Sequence, residues 1–159
     1  LKTAVSAHSN TLGFYRIAAD GSLFDVHVVF ANTLAVASGT TVSLGTPGNG
    51  ERIGFFLIQD GFDPYGSLPD NLSFVAAEAG APPVLMSATQ GALTAAAVLH
   101  STAGFNSGNA AQVLSGGAPG GRELLIGFED LATGTGDNDF QDVVIGVRTD
   151  HDGIEIDKP

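Results

Sequence analysis

Residues 53–58 read Ile-Gly-Phe-Phe-Leu-Ile, and this uninterrupted apolar run indicates where the centre of the fold lies. A strand with one face in water alternates apolar and polar residues, whereas a strand covered on both faces is apolar throughout. We therefore predict a central strand over Arg52–Gln59 with a layer of structure on each side. The segment Phe24-Asp25-Val26-His27-Val28 does alternate, which predicts a half-buried strand over Leu23–Phe30.

Short apolar runs like these two recur along the chain between turns rich in Gly, Pro, Asn and Asp. This spacing is typical of an all-β sandwich or barrel, and Asn106–Leu114 is the segment that suggests a short helix. We predict an all-β fold, an antiparallel, jelly-roll-like β-sandwich with long loops and at most short helices. The other predicted strands are Leu12–Ala18, Thr40–Leu44, Leu72–Ala76, Pro83–Ser87, Ala95–His100, Glu123–Phe128 and Asp142–Thr149.

The chain has 159 residues, with 17 Asp and Glu against 6 Lys and Arg, for a formal net charge of −11. This length suits one domain, which we expect at 1–150, followed by a C-terminal tail or linker at 151–159. Because the chain begins with Leu1 rather than Met, we expect it to be a module of a longer protein.

Charge and cysteine content exclude several kinds of site. Six scattered basic residues form no cationic stripe, so we expect neither nucleic-acid binding nor attraction to anionic membranes. No apolar stretch is long enough to span a bilayer, so membrane insertion is not expected either. Cysteine is absent, which excludes disulfides and thiolate metal sites. The partners left open are cations, neutral sugars and proteins.

Five carboxylates crowd a short stretch between two apolar segments, with Glu129 and Asp130 ending one predicted strand and Asp142 beginning the next. We call this stretch the acidic hairpin. No Lys, Arg or His lies between Arg122 and Arg148 to compensate it. Neighbouring like charges repel by roughly 1 to 4 kcal/mol per pair, so a cation is expected there. The candidate metal ligands are Glu129, Asp130, Asp137, Asn138, Asp139 and Asp142.

Calcium (Ca²⁺) suits this donor set because it takes 6–8 oxygen ligands in flexible geometry, whereas magnesium retains more water. The hairpin is not an EF-hand, because counting from Asp137 puts Asp142 where Gly is required and Arg148 where Glu is required. Two alternatives stay open. The acidic residues could form a solvated turn that caps its own backbone, or Glu129 and Asp142 could act as acid and base in glycoside hydrolysis.

A second candidate site is the loop at residues 60–67, which combines two aromatic rings with two carboxylates. Sugar sites use this mixture for stacking and hydroxyl recognition, so Asp60, Asp63 and Tyr65 are candidate ligand-binding residues. The alternative is a structural loop with the Phe62 ring in the core. Elsewhere, His27 and His100 are predicted to be strand residues with a hydrogen-bond partner.

The acidic hairpin also carries a family resemblance. The string Gly127-Phe128-Glu129-Asp130-Leu131, a Gly-containing spacer and Gly136-Asp137-x-Asp139-Phe140-x-Asp142-Val143-Val144 resemble the signature of a bacterial family, domain of unknown function 4114. Weaker blocks at 10–15, 53–58 and 100–106 extend the resemblance over about residues 10–149. This family occurs in large secreted proteins, including adhesins of the repeats-in-toxin class.

The resemblance implies an extracellular or cell-surface module whose acidic residues are metal ligands or catalytic groups. Gln141 departs from the Asn expected at its position, which leaves its role as a ligand open. No Gly-x-Ser-x-Gly elbow, His-Glu-x-x-His or Walker lysine is present, which favours a function other than catalysis. We therefore expect a non-enzymatic calcium-binding module of a secreted adhesin-like or repeats-in-toxin protein, with a glycan or surface protein as partner. A hydrolytic enzyme and a calcium-stiffened structural spacer are the alternatives.

Overall fold

Eleven strands make up most of the regular structure in the part of the chain that the computed structural model describes, residues 1–68, 71–78, 80–131 and 139–149. Helical structure there is limited to α1 (Phe62–Tyr65) and single 3-10 turns at Thr33–Ala35, Ala103–Phe105 and Ser107–Asn109. The strands are β1 (Thr3–Ala4), β2 (Thr11–Ile17), β3 (Leu23–Phe30), β4 (Arg52–Ile58), β5 (Leu72–Val75), β6 (Val84–Ser87), β7 (Gly91–Ala92), β8 (Val98–His100), β9 (Val113–Gly117), β10 (Leu124–Phe128) and β11 (Val143–Val147).

These strands form two antiparallel sheets. The larger has seven strands in the order β7-β6-β5-β3-β2-β4-β8, and the smaller has four in the order β1-β11-β10-β9. The first strand of the chain thus completes the edge of a sheet whose other strands come from its last third. The predicted all-β sandwich is confirmed, while the expected tail at 151–159 lies outside the described residues.

Strand β4 shows why the apolar run at residues 53–58 is continuous. Phe55 and Leu57 pack into the core that the two sheets share, which also contains Phe128 and Val143. Phe56 and Ile58, whose side chains point the other way, belong to a second hydrophobic cluster on the opposite face of the seven-stranded sheet. The prediction of a strand covered on both faces is confirmed. Each such side chain stabilises the fold by about 1.5–3 kcal/mol when fully buried.

The predicted strand at Thr40–Leu44 is wrong, because these residues belong to a long loop between β3 and β4. Their carbonyl groups bond to donors outside any strand ladder. The amino group of Leu1 donates to the Thr40 carbonyl at 2.8 Å, and Arg16 Nη2 donates to the Leu44 carbonyl at 3.1 Å. At Thr40 and Leu44 the loop is therefore held by single charged donors rather than by the ladder of a neighbouring strand.

The predicted short helix at Asn106–Leu114 is also wrong. Helical structure there is limited to the 3-10 turn, within which Gly108 has φ 62°, and β9 begins at Val113. The Asn106 amide donates to the Ala110 carbonyl at 2.9 Å, so a side chain takes an acceptor that a helix would use. The sequence does not predict strand β9, because its two glycines are typical of a turn. Pairing with β10 over five residues overrides this local preference.

Candidate cation site

The acidic residues are brought together by the pairing of β10 with β11. These strands are antiparallel neighbours with Phe128 opposite Val143, and both of these side chains are fully buried. Glu129 directly follows β10 and Asp142 directly precedes β11, so the two residues lie at the same end of the pair. The predicted adjacency of the two strands, and with it the convergence of their acidic ends, is confirmed.

Glycine at position 127 allows the chain before β11 to approach β10. A Cβ atom on Gly127 would lie 2.1 Å from the carbonyl oxygen of Phe140, closer than any real contact. Phe140 itself adopts φ 55°, a left-handed conformation that is uncommon for a bulky residue. This close backbone contact brings the chain around Phe140 against β10, the strand that Glu129 directly follows.

Three carboxylates converge as a result, those of Glu129, Asp139 and Asp142, which we call the acidic cluster. One oxygen from each lies within 4.8 Å of the other two. Glu129 is only 2% exposed, Asp142 is half-buried, and Asp139 faces solvent. Charges at this separation repel more strongly as burial lowers the local dielectric, and the attraction of each carboxylate to a bound cation would offset that repulsion. An all-oxygen donor set of this kind favours a hard cation.

Gln141 lies beside the cluster as a hydrogen-bond donor. Its backbone N–H donates to Asp139 Oδ1 at 3.0 Å, and its side-chain Nε2 donates to Asp139 Oδ2 at 3.1 Å. Both Asp139 oxygens are therefore oriented by the residue whose role the sequence left open. Such donors fix the direction of a ligating carboxylate and adjust its affinity for a metal.

Asp130 occupies a different environment from the acidic cluster, although it is also only 2% exposed. Its Oδ2 accepts hydrogen bonds from Asn10 Nδ2 at 2.7 Å and from the Ser6 hydroxyl. Its backbone N–H donates to Asp142 Oδ2 at 2.9 Å. Asp130 thus reaches the cluster through its main chain, while its side chain is held by the N-terminal segment. The other two predicted ligands, Asp137 and Asn138, lie outside the described residues.

Asn10 is a functional candidate that the sequence interpretation missed. It is completely buried, and it lies 120 positions from the Asp130 carboxylate to which it bonds. The available signal was its position at the start of the block at residues 10–15. That block suggested membership of a family without suggesting a role.

The second predicted site is only partly assembled. Asp60 and Asp63 line one open pocket together with His8 and Gln59, whereas the Tyr65 hydroxyl accepts the Ala95 backbone N–H at 2.7 Å. Tyr65 therefore anchors the loop. The structural-loop alternative is wrong about Phe62, because this residue is 36% exposed rather than in the core.

Both histidines predicted as strand residues have a hydrogen-bond partner. His27 Nε2 lies 2.8 Å from Asp25 Oδ1 at the surface. His100 is fully buried, with Nδ1 3.3 Å from the Tyr15 hydroxyl and the rings of Phe74 and Phe105 packed around it. Burial lowers the pKa of His100 from 6.5 to about 4, and burial raises the pKa of Tyr15 to about 12. Neither histidine contributes to the acidic cluster.

One of three comparisons with known proteins, the one with family profiles, supports the family resemblance. The other two, searches of curated proteins and of solved structures, found no significant match. Within the described residues, no helix combines the length and the apolar character that crossing a bilayer requires. The sequence profile of the family described as "Domain of unknown function (DUF4114)" matches residues 48–150, which is well over half of the chain and includes the whole acidic hairpin. The chain therefore belongs to the DUF4114 family.

Proposed function

We propose that this domain binds a calcium ion through Glu129, Asp139 and Asp142. The observation that carries the proposal is the convergence of their carboxylate oxygens within 4.8 Å at one end of the β10-β11 pair. Glu129 is nearly inaccessible to water, so solvent alone compensates its charge poorly. A divalent cation would offset the repulsion among all three groups.

Two neighbouring contacts favour a preorganised site over a solvated acidic turn. Gln141 orients both oxygens of Asp139, and the Asp130 backbone N–H orients Asp142. Ligands held in this way lose little side-chain entropy when an ion binds. Calcium suits the site better than magnesium, because its larger and more flexible coordination shell accepts several carboxylates at once.

We further propose that the domain is a non-enzymatic extracellular module of a larger secreted bacterial protein, of the adhesin-like or repeats-in-toxin class. A site with the moderate affinity that is typical of extracellular modules would be occupied at millimolar calcium. The net charge of −11 favours a partner that is neutral or basic, such as a glycan or a surface protein. Binding of such a partner would depend on calcium. Calcium would stiffen the end of the sandwich at which the acidic cluster lies.

Calorimetric titration and thermal unfolding test the metal site directly. With a dissociation constant of 10⁻⁴–10⁻³ M, millimolar calcium should stabilise the folded state by about 0.4 to 1.4 kcal/mol. Asp139→Asn should abolish this gain, whereas Glu78→Gln, which changes an exposed acid outside both candidate sites, should preserve it. Magnesium controls for charge screening. No binding heat together with equal unfolding midpoints in EDTA and calcium would exclude the proposal.

The competing hydrolytic function predicts a different response to Asp139→Asn. A metal ligand loses calcium affinity and calcium-dependent stability, whereas a catalytic carboxylate loses turnover while stability is kept. A glycan array probed with and without chelator then separates an adhesin from a structural spacer. Binding that requires calcium supports the adhesin.

A further inference from the structure

The Asn10 side chain connects the acidic cluster to the loop that follows β4. Asn10 Oδ1 accepts the backbone N–H of Asp60 at 2.9 Å, while Asn10 Nδ2 donates to Asp130 Oδ2 at 2.7 Å. The Asp130 N–H then donates to Asp142 Oδ2 at 2.9 Å. Three hydrogen bonds thus lead from a cluster carboxylate to the backbone of a separate loop.

The two ends of the Asn10 amide make this connection. Its oxygen accepts from the Asp60 N–H while its nitrogen donates to the Asp130 carboxylate, two roles that a primary amide fills at once. Asn10 is completely buried, so water cannot replace either bond. The hydrogen bond to Asp130 is charge-assisted, which makes it the stronger class of contact.

Residues 59–66, which we call the Asp60 loop, are held by the same segment at two further points. The Ser9 N–H donates to Asp60 Oδ1 at 2.9 Å, and the Phe62 N–H donates to the Ser9 carbonyl at 3.0 Å. Asp60 adopts φ 51°, so its backbone depends on these contacts to keep a sparsely populated conformation. The Asp60 loop also forms one side of the pocket lined by His8 and Asp63.

Building on the proposed calcium site, we infer that Asn10 is a positioning residue that couples cation binding at the acidic cluster to the conformation of the Asp60 loop. An ion that restrains Asp142 also restrains the Asp130 N–H, and through Asp130 and Asn10 it restrains the Asp60 N–H. Coupling of this kind is reciprocal, so a ligand that engages the Asp60 loop would in turn change calcium affinity. Asn10 lies outside residues 48–150, so the functional unit extends beyond the segment that the family profile matches.

Amide hydrogen exchange on the whole chain tests this coupling without any mutation. In the wild-type protein, millimolar calcium should slow exchange of the Asp60 N–H by about two- to tenfold, the range set by the proposed calcium stabilisation, because opening of this bond requires displacement of Asn10. Asn10→Ala should weaken calcium binding by about tenfold, the low end of the effect of removing a group that orients metal ligands, because Asn10 acts on Asp142 only through Asp130. It should also abolish the calcium effect on the amides of the Asp60 loop.

Asn106→Ala is the matched control. Asn106 is also a buried asparagine, and its amide bonds to the backbone of His100 and Ala110, away from the cluster. It should lower the midpoint of unfolding and leave the calcium dissociation constant within about twofold of wild type. A merely structural Asn10 would behave in the same way, and that result would overturn the inference.

The possible failures are distinguishable. If the wild-type protein binds no calcium, the proposed function and this inference both fail. If it binds calcium while Asp60 exchange is the same with and without the ion, the inference alone fails. Should Asn10→Ala not fold, the wild-type exchange measurement still decides. Ser6→Ala, which removes the other side-chain donor to Asp130, then serves as the milder variant, with weaker calcium binding expected.

Discussion

The carbonyl oxygen of Phe140 lies 2.1 Å from the position that a Cβ of Gly127 would occupy. No side chain fits between these two backbones, so the segment that carries Asp139 and Asp142 can approach β10 only where glycine stands. Two of the three cluster carboxylates therefore depend on a residue that offers no ligand of its own.

Gly127→Ala should destabilise the domain by about 1–3 kcal/mol, because the added methyl group must displace the Phe140 backbone. It should also weaken calcium binding, since the displaced segment carries two of the proposed ligands. Urea denaturation and calorimetry measure the two effects. Gly116→Ala is the control, because nothing lies within 4 Å of its Cβ position. Equal stability of the two variants would contradict the proposed packing role.

Gln141→Ala should weaken calcium binding by about tenfold, because Asp139 loses the side-chain donor that orients it. Stability in EDTA should change by less than about 0.5 kcal/mol, as expected for an exposed position. Gln90→Ala, at another exposed glutamine, controls for surface effects. Unchanged calcium affinity would show that the Asp139 carboxylate needs no orientation by Gln141.

Asp130→Asn should destabilise the protein by about 1–3 kcal/mol even in EDTA, because the two buried hydrogen bonds that Asp130 Oδ2 accepts would lose their charged acceptor. Asp139→Asn should behave in the opposite way in EDTA, since removing one negative charge relieves repulsion within the cluster. Chemical denaturation of both variants, with and without calcium, separates the two roles. If Asp130→Asn is neutral in EDTA and lowers only calcium affinity, Asp130 is a ligand rather than a support.

The buried His100 predicts a specific loss of stability in mild acid. Its pKa in the folded protein is about 4, below the 6.5 of an unfolded chain, so the unfolded state binds more protons between these values. The contribution of His100 is therefore fully present above pH 6.5 and falls by about 3 kcal/mol as the pH decreases to 4. Stability measured from pH 7 to 4 should decline less steeply in His100→Gln than in His27→Gln. Equal slopes would mean that His100 accepts a proton without cost in the folded state.

Local patterns in the sequence determined much of this architecture. The alternation in β3, the unbroken apolar run of β4 and the concentration of carboxylates between two apolar segments are all visible within a few residues. Each reflects whether a short segment faces water, the core or a neighbouring charge. That information suffices to predict an all-β sandwich and to locate Glu129, Asp139 and Asp142 in one hairpin.

Only the tertiary structure decided how distant residues support the site. The bond from Asn10 to Asp130 spans 120 positions, and strand β1 pairs with β11 from the opposite end of the chain. Strand β9 forms because β10 offers it a hydrogen-bonding edge, although its own glycines indicate a turn. Such contacts depend on which backbone and side-chain groups meet after the chain has collapsed. Local composition carries no information about them, because hydrogen-bond partners are chosen by proximity in space.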